Sequence, residues 1–165
     1  MRFGDATPML ARALRRKIKI GLGSDGAASN GTMNLLEAAK AAALLVKLAE
    51  GDAEAAPVRS LLPLLWRGGK FLFGPGYGEI QSGTPADLVF INPRQPSLQP
   101  ENNPAAALIY SYSGNIVDTV MVNGKIVVSQ GRLLTLDLPV LYREVNLRAA
   151  FLKRNAGGRP MQQYL

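Results

Sequence analysis

The 165-residue sequence is 47% hydrophobic and 19% charged, which describes an ordinary globular chain and excludes intrinsic disorder. It contains neither cysteine nor histidine, so disulfides, thiolate or imidazole metal ligands and a Ser-His-Asp triad are excluded. The absence of cysteine fits a reducing compartment, and no apolar run reaches the roughly 20 residues of a membrane span. We therefore expect a cytoplasmic protein without a membrane partner.

The net charge of +7 raises the question of a nucleic-acid partner. Six basic residues and one acidic residue lie within residues 1–20, and six basic and two acidic residues lie within residues 132–165. The middle of the chain carries seven basic and nine acidic residues. Because the excess lies at the two ends and not on a patch interleaved with aromatic residues, solvated helix faces explain it better, and no nucleic-acid partner is expected.

The first predicted elements are a helix and a short strand. Thr7 before Pro8 is typical of a helix start, and the helix is predicted to run to about Arg16. The apolar run that begins at Ile18 predicts a strand, and this strand ends in an acidic residue, Asp25. A carboxylate at the end of a buried strand has to pair, accept hydrogen bonds or bind a cation.

The environment of Asp25 allows two interpretations. On a strand, Asp25 shares a face with Gly21 and Gly23, which leave open space beneath the carboxylate and indicate a cavity. In the alternative, Asp25, Ser29 and Asn30 make the hydrogen bonds of an ordinary strand-to-loop turn. Spacing alone leaves both open.

The next segments are predicted to be helical. Residues 35–50 are rich in alanine and leucine, with Asn34 and Glu37 at capping-box spacing before them and Gly51 after them. This is the clearest helix signal in the chain. A second helical segment follows and contains Pro63, which should kink or end it.

Short β-rich runs separated by turn residues begin after Gly74 and mark a candidate domain boundary. The predicted strands cover residues 86–91, 117–122, 125–129 and 132–135. Asn123-Gly124 predicts a two-residue type I′ hairpin turn. The prolines between residues 93 and 104 predict an extended connection with little regular structure. Asp137 starts a predicted terminal helix that runs to about residue 155.

Three segments resemble the amidohydrolase superfamily, in its metal-dependent deaminase and chlorohydrolase branch. GLGSDGAASN at 21–30 is similar to the motif that ends the eighth barrel strand, with Gly23-Ser24-Asp25 where G-T-D is usual. GEIQSGTPADLVFI at 78–91 and VDTVMVNGKIVVSQGRLLTLD at 117–137 resemble the later, β-rich part of that branch. The nearest likeness is to 5′-methylthioadenosine/S-adenosylhomocysteine deaminases.

The resemblance implies a (β/α)8 barrel beside a small composite β-sandwich, with one divalent metal, zinc or iron, at the barrel mouth. In such enzymes metal-activated water hydrolyses a C–N bond of a purine nucleoside-like or related heterocycle, the small-molecule substrate. Asp25 matches the aspartate that assists deprotonation of the water, moves protons to the leaving amine and also contacts the metal. Ser24, Ser29 and Asn30 are expected to orient it.

The resemblance is incomplete, because the family's H-x-H pair and its later metal-binding histidines have no counterpart here. We expect an α/β plus β chain that is the C-terminal fragment of such a protein. Residues 1–74 would be a partial barrel with the last strand and its helices, residues 75–136 a partial composite β-sandwich, and residues 137–165 a terminal helix and tail.

Two expectations follow about activity and partners. The isolated chain is expected to be inactive and to retain no metal, because one carboxylate does not hold a catalytic metal. We expect that a homo-oligomer or a missing N-terminal part supplies the rest of the fold. The alternative function is a non-catalytic structural or assembly module derived from the same family, and a basic nucleic-acid-binding protein is the third and least favoured interpretation.

Overall fold

The computed structural model describes residues 10–155, except for the side chains of residues 28 and 29. Its α-helices are α1 (Leu10–Arg15), α2 (Ala27–Asn30), α3 (Leu35–Glu50), α4 (Val58–Leu61), α5 (Leu64–Phe73), α6 (Pro104–Ala106) and α7 (Leu138–Asn155). Its strands are β1 (Leu88–Ile91), β2 (Val117–Val122), β3 (Lys125–Ser129) and β4 (Arg132–Leu133). The predicted helix start at Thr7 and Pro8 lies outside the described residues, and the predicted end near Arg16 is confirmed.

Helix α3 has the boundaries that the sequence predicts, and its ends explain why. The side chain of Asn34 accepts hydrogen bonds from the backbone N–H groups of Leu36 and Glu37, at 3.0 and 3.4 Å. These bonds satisfy two of the unpaired donors at the helix start. At the other end Gly51 adopts φ +63°, a left-handed conformation that glycine reaches without a Cβ penalty. The sequence prediction is confirmed at both ends.

The hydrophobic core lies where α3 meets the other helices. Helix α3 contacts α1, α5 and a π-helical turn at Ala107–Ser111. Three of its four buried residues are alanines, and small side chains let neighbouring helices approach closely. The core is completed by larger side chains, of which Leu61, Leu64 and Ile109 are the largest that are fully buried.

Pro63 separates α4 from α5, as predicted. Helix α4 ends at Leu61, and α5 begins at Leu64, directly after the proline. Proline lacks the N–H that would continue the helical bonding and clashes with the preceding turn. The sequence left open whether the segment after Pro63 is helical, and in the structure it is a regular helix of 10 residues.

The predicted strand from Ile18 to Asp25 is not a strand in the structure. Residues 18–26 have no regular secondary structure, and within residues 10–155 they pair with no strand. The backbone N–H of Leu22 instead donates to the carbonyl oxygen of Leu64, at 2.8 Å. A strand is defined by hydrogen bonds to a neighbouring strand, so an apolar run without a partner remains irregular.

Gly21 lies against α5 so closely that the contact gives a testable prediction. A Cβ added at Gly21 would lie 3.0 Å from the Cα of Gly68, whereas one added at Gly23 would meet nothing within 4 Å. Gly21→Ala should therefore lower the free energy of unfolding by about 1–3 kcal/mol through backbone displacement. Gly23→Ala, the matched control, should be neutral or stabilise by about 0.4–1 kcal/mol. Urea unfolding of the two variants measures this, and equal effects would contradict the close contact.

The four strands form one antiparallel sheet in the order β1-β2-β3-β4. Asn123 and Gly124 have φ values of +47° and +76°, as the predicted type I′ turn requires. The sheet is held at its end by Asp87, whose carboxylate accepts a hydrogen bond from the Asn123 N–H at 2.6 Å. The predicted hairpin is confirmed, and the β-rich part comprises this one sheet among the described residues.

The proline-rich connection is more regular than predicted. It contains a 3₁₀ turn at Pro96–Leu98, helix α6, and the π-helical turn that brings Ile109 into the core. The Asn103 side chain accepts from the Ala106 N–H at 3.0 Å, and Pro104 occupies the first turn. Asparagine followed by proline is a helix-start signal, so the prediction of an extended connection was wrong at a position where the sequence carried the evidence.

Tyr112 follows the π-helical turn and makes stability sensitive to high pH. Burial raises the pKa of its hydroxyl above 10.0, and the negative charge of Glu37 adds to the rise. The unfolded chain therefore loses this proton at a lower pH than the folded chain. The contribution of the neutral Tyr112 hydroxyl to the free energy of unfolding is complete below pH 10.0, and it is lost as pH rises through the raised pKa of the folded state. Tyr112→Phe should flatten the fall in unfolding free energy above pH 10, measured by urea unfolding. Tyr142→Phe, at an exposed position, should leave it unchanged.

Helix α7 closes the described chain, and its predicted start is confirmed. The Asp137 carboxylate accepts from the Val140 N–H at 3.0 Å, which is an N-cap contact. The helix extends over 18 residues, none of which is buried. Among residues 10–155, the helices do not combine the length and apolar character that a membrane crossing needs.

Candidate functional site

Asp25 lies at an exposed position near the end of the irregular segment 18–26, two residues before helix α2. Its φ is +58°, a left-handed conformation that aspartate tolerates better than most residues. Its Oδ1 accepts a hydrogen bond from the Gly26 N–H at 2.7 Å. These features agree with the turn interpretation. The open space expected beneath the carboxylate was wrong at Gly21, because α5 lies against that residue, and Asp25 faces solvent.

The residues expected to orient Asp25 make other contacts in the structure. The Ser24 hydroxyl donates to the backbone carbonyl of Asp25 at 3.2 Å, and the Asn30 side-chain amide donates to the Thr32 carbonyl at 2.9 Å. Ser29 belongs to α2, and its side chain is not among those described. Ser24 and Asp25 thus lie in the irregular segment and Asn30 ends α2, and their described hydrogen bonds shape the backbone on either side of that helix.

The residues of this chain do not fit a metal centre. The sequence has no histidine or cysteine, and residues 10–155 contain no group of three or more acidic side chains placed to hold an ion. Zinc sites take four protein ligands when structural and three when catalytic. Asp25 would supply one such ligand, so the remaining ligands of any metal would come from outside this chain.

A groove of about 730 Å³ lies between residues 17–20 and α5. Five of the side chains that line it are basic, namely Lys17, Lys19, Arg59, Arg67 and Lys70. Lys70 forms an ion pair with Glu79 at its edge. Sequence reasoning missed this cluster because its members are separated by up to about fifty residues and converge only when α5 packs against Gly21. Trp66 and Tyr77 also line the groove.

Comparison with known proteins defines the class of this chain. Residues 1–127 match the amidohydrolase family. The 5-methylthioadenosine/S-adenosylhomocysteine deaminase of Nitratidesulfovibrio vulgaris is 35% identical over 146 residues, covering 88% of this chain and 33% of the relative. The 5-methylthioadenosine/S-adenosylhomocysteine deaminase of Pyrococcus furiosus is 38% identical over 137 residues, covering 83% of this chain and 33% of the relative. The chain belongs to the amidohydrolase family.

A solved structure supports the same assignment at the level of the fold. A zinc-bound adenosine deaminase from Xanthomonas campestris superposes with a TM-score of 0.83 and 26% sequence identity, covering 88% of this chain and 34% of that protein. The chain therefore spans about a third of the length of the curated relatives and of this structure. The resemblance carried by the three sequence segments is confirmed.

Proposed function

We propose that this chain is the part of an amidohydrolase that contributes Asp25 to hydrolytic deamination of a purine nucleoside-like heterocycle. The observation that supports this proposal is the position of Asp25, an exposed carboxylate in the segment that resembles the G-T-D motif of the family. The deaminases that match this chain at 35–38% identity give the substrate class. The chemistry is completed by the part of the fold that lies outside this chain.

The role proposed for Asp25 is proton transfer. Hydrolytic deamination adds the oxygen of water to a ring carbon and releases the amine as ammonia. The carboxylate accepts a proton from the attacking water, which makes the oxygen nucleophilic, and delivers it to the departing nitrogen. The C–O bond forms, the C–N bond breaks, and Asp25 returns to its ionised form at the end of the reaction.

A second candidate function is a non-catalytic module that assembles with other chains. The absence of every histidine favours it, because amidohydrolase chemistry at a metal requires ligands that this sequence does not supply. The two functions differ in one property. A contributor to catalysis restores turnover when it is joined to the rest of the fold, and an assembly module does not.

The experiment joins this chain to the rest of a relative. In the fusion protein, termed the chimera, the 165-residue chain replaces the matched third of the Nitratidesulfovibrio vulgaris deaminase. The chimera is expected to release ammonia from 5′-methylthioadenosine, and the isolated chain is expected to release none. A folded, metal-loaded chimera without turnover would contradict the proposal and favour the assembly module. Turnover by the isolated chain would contradict the view that the chain is incomplete.

A further inference from the structure

Helix α7 is exposed along its whole described length, and its apolar residues, apart from Pro139 and Ala150, form two stripes. With 3.6 residues per turn, the first stripe covers an arc of about 100°. It consists of Leu138, Leu141, Tyr142, Val145, Ala149 and Leu152. The second stripe lies about 150° away around the helix and consists of Val140, Leu147 and Phe151. Val145 and Leu147, one from each stripe, are 53% and 60% exposed.

Two opposed stripes distinguish α7 from a helix that lies on one surface. A helix at the edge of a core or on a membrane carries one apolar face and one polar face. In α7 the polar positions form two separate strips between the stripes, with Asn146 and Lys153 on one side and Glu144 and Arg148 on the other. A helix of this pattern buries both faces only when it lies between two surfaces.

The charge of α7 disfavours packing against the same helix of a second copy of this chain. The helix carries four basic residues, Arg143, Arg148, Lys153 and Arg154, and one acidic residue, Glu144. Two such helices packed together would bring like charges close along about 27 Å of helix, which weakens their association. A surface that carries carboxylates beside apolar side chains is complementary. The candidate for such a surface is the remainder of the amidohydrolase fold, because about two thirds of the length of the relatives lies outside the match with this chain.

We infer that α7 packs between two surfaces of the amidohydrolase part that this chain does not span, with the first stripe against one surface and the second stripe against the other. The inference rests on the proposed function, because it takes the occupant to be the remainder of that same fold. The occupant is apolar at its centre and acidic at its rim. It need not be joined covalently to this chain.

The cysteine-free sequence allows a direct test by thiol labelling. Single variants Val145→Cys and Leu147→Cys report on the two stripes, and Asn146→Cys, on the intervening polar strip, is the matched control. In the isolated chain all three should react with N-ethylmaleimide at similar rates. In the chimera, peptide-resolved mass spectrometry should show the two stripe variants slowed by about tenfold or more, while Asn146→Cys reacts as before.

Each other outcome contradicts the inference. Protection of one stripe alone would indicate a single surface, and rapid labelling of both stripes in the chimera would indicate no docking. Protection in the isolated chain that rises with its own concentration would indicate a second copy, and protection by anionic phospholipid vesicles would indicate a membrane surface. A chimera that fails to fold where the parent deaminase folds would show that the surfaces do not match. A chimera with both stripes protected but without turnover would contradict the proposed function alone.

Discussion

In the chimera, Asp25→Asn is expected to lower kcat for 5′-methylthioadenosine by about 10²–10⁴-fold, the range that a general acid-base group contributes. The asparagine side chain has nearly the same shape and still accepts the hydrogen bond from Gly26, so the turn is preserved. It cannot carry a proton from water to the leaving amine. KM should change little, because the substitution affects proton transfer and leaves substrate binding largely intact. Steady-state ammonia release measures both constants.

The control for this variant is Asp52→Asn. Asp52 accepts a hydrogen bond from the Glu54 N–H at 2.8 Å, so it resembles Asp25 in exposure and in local bonding. It lies in the loop after α3 and outside the motif. Its kcat should stay within about twofold of the parent chimera, since surface substitutions away from a site have small effects. An equal loss in both variants would show that Asp25 acts through loop structure and not through chemistry.

Leu61→Ala is expected to have the largest effect on stability. Leu61 is 0% exposed and belongs to the core cluster around α3. Removing its side chain leaves a cavity, which should lower the free energy of unfolding by about 2–5 kcal/mol. This is a large part of the roughly 5–15 kcal/mol that is typical of a small protein. Urea unfolding of the isolated chain measures the change.

Leu48→Ala makes the same chemical change at a position that is 81% exposed. It should alter the free energy of unfolding by no more than about 0.5 kcal/mol. If the two variants had similar effects, the helical core around α3 would be absent from the isolated chain in solution. The comparison therefore tests whether Leu61 is buried in the core cluster as it is in the structure.

The parts of the fold that could be predicted from the sequence are those that local interactions determine. Asn34 and Gly51 fix the ends of α3, Pro63 separates α4 from α5, and Asn123-Gly124 fixes the hairpin, because each signal acts over a few residues. The helix at Asn103 and Pro104 was missed although a local signal was present. The many prolines of that segment favour an extended chain, and they obscure the helix cap among them.

The parts that could not be predicted depend on distant contacts. Segment 18–26 has the composition of a strand, but a strand requires a neighbour, and none lies beside it among residues 10–155. The groove lined by five basic residues lies where residues 17–20 meet α5, beside the close contact of Gly21 with Gly68, and Lys19 and Arg67 line it from segments far apart in the sequence. Asp25 was singled out as a carboxylate at the end of an apolar run, and its catalytic role was assigned by resemblance to a motif. Its left-handed turn and its bond to Gly26 are properties that only the three-dimensional arrangement supplies.

The proposed function requires that this chain carries the catalytic aspartate of an amidohydrolase without the other ligands that hold its metal. The most direct test is the zinc content of the isolated chain and of the chimera after dialysis at neutral pH, measured by plasma mass spectrometry. We expect about one equivalent of zinc in the chimera and less than about a tenth of an equivalent in the isolated chain, because metal affinity requires three or more protein ligands. A full equivalent retained by the isolated chain would contradict the proposal.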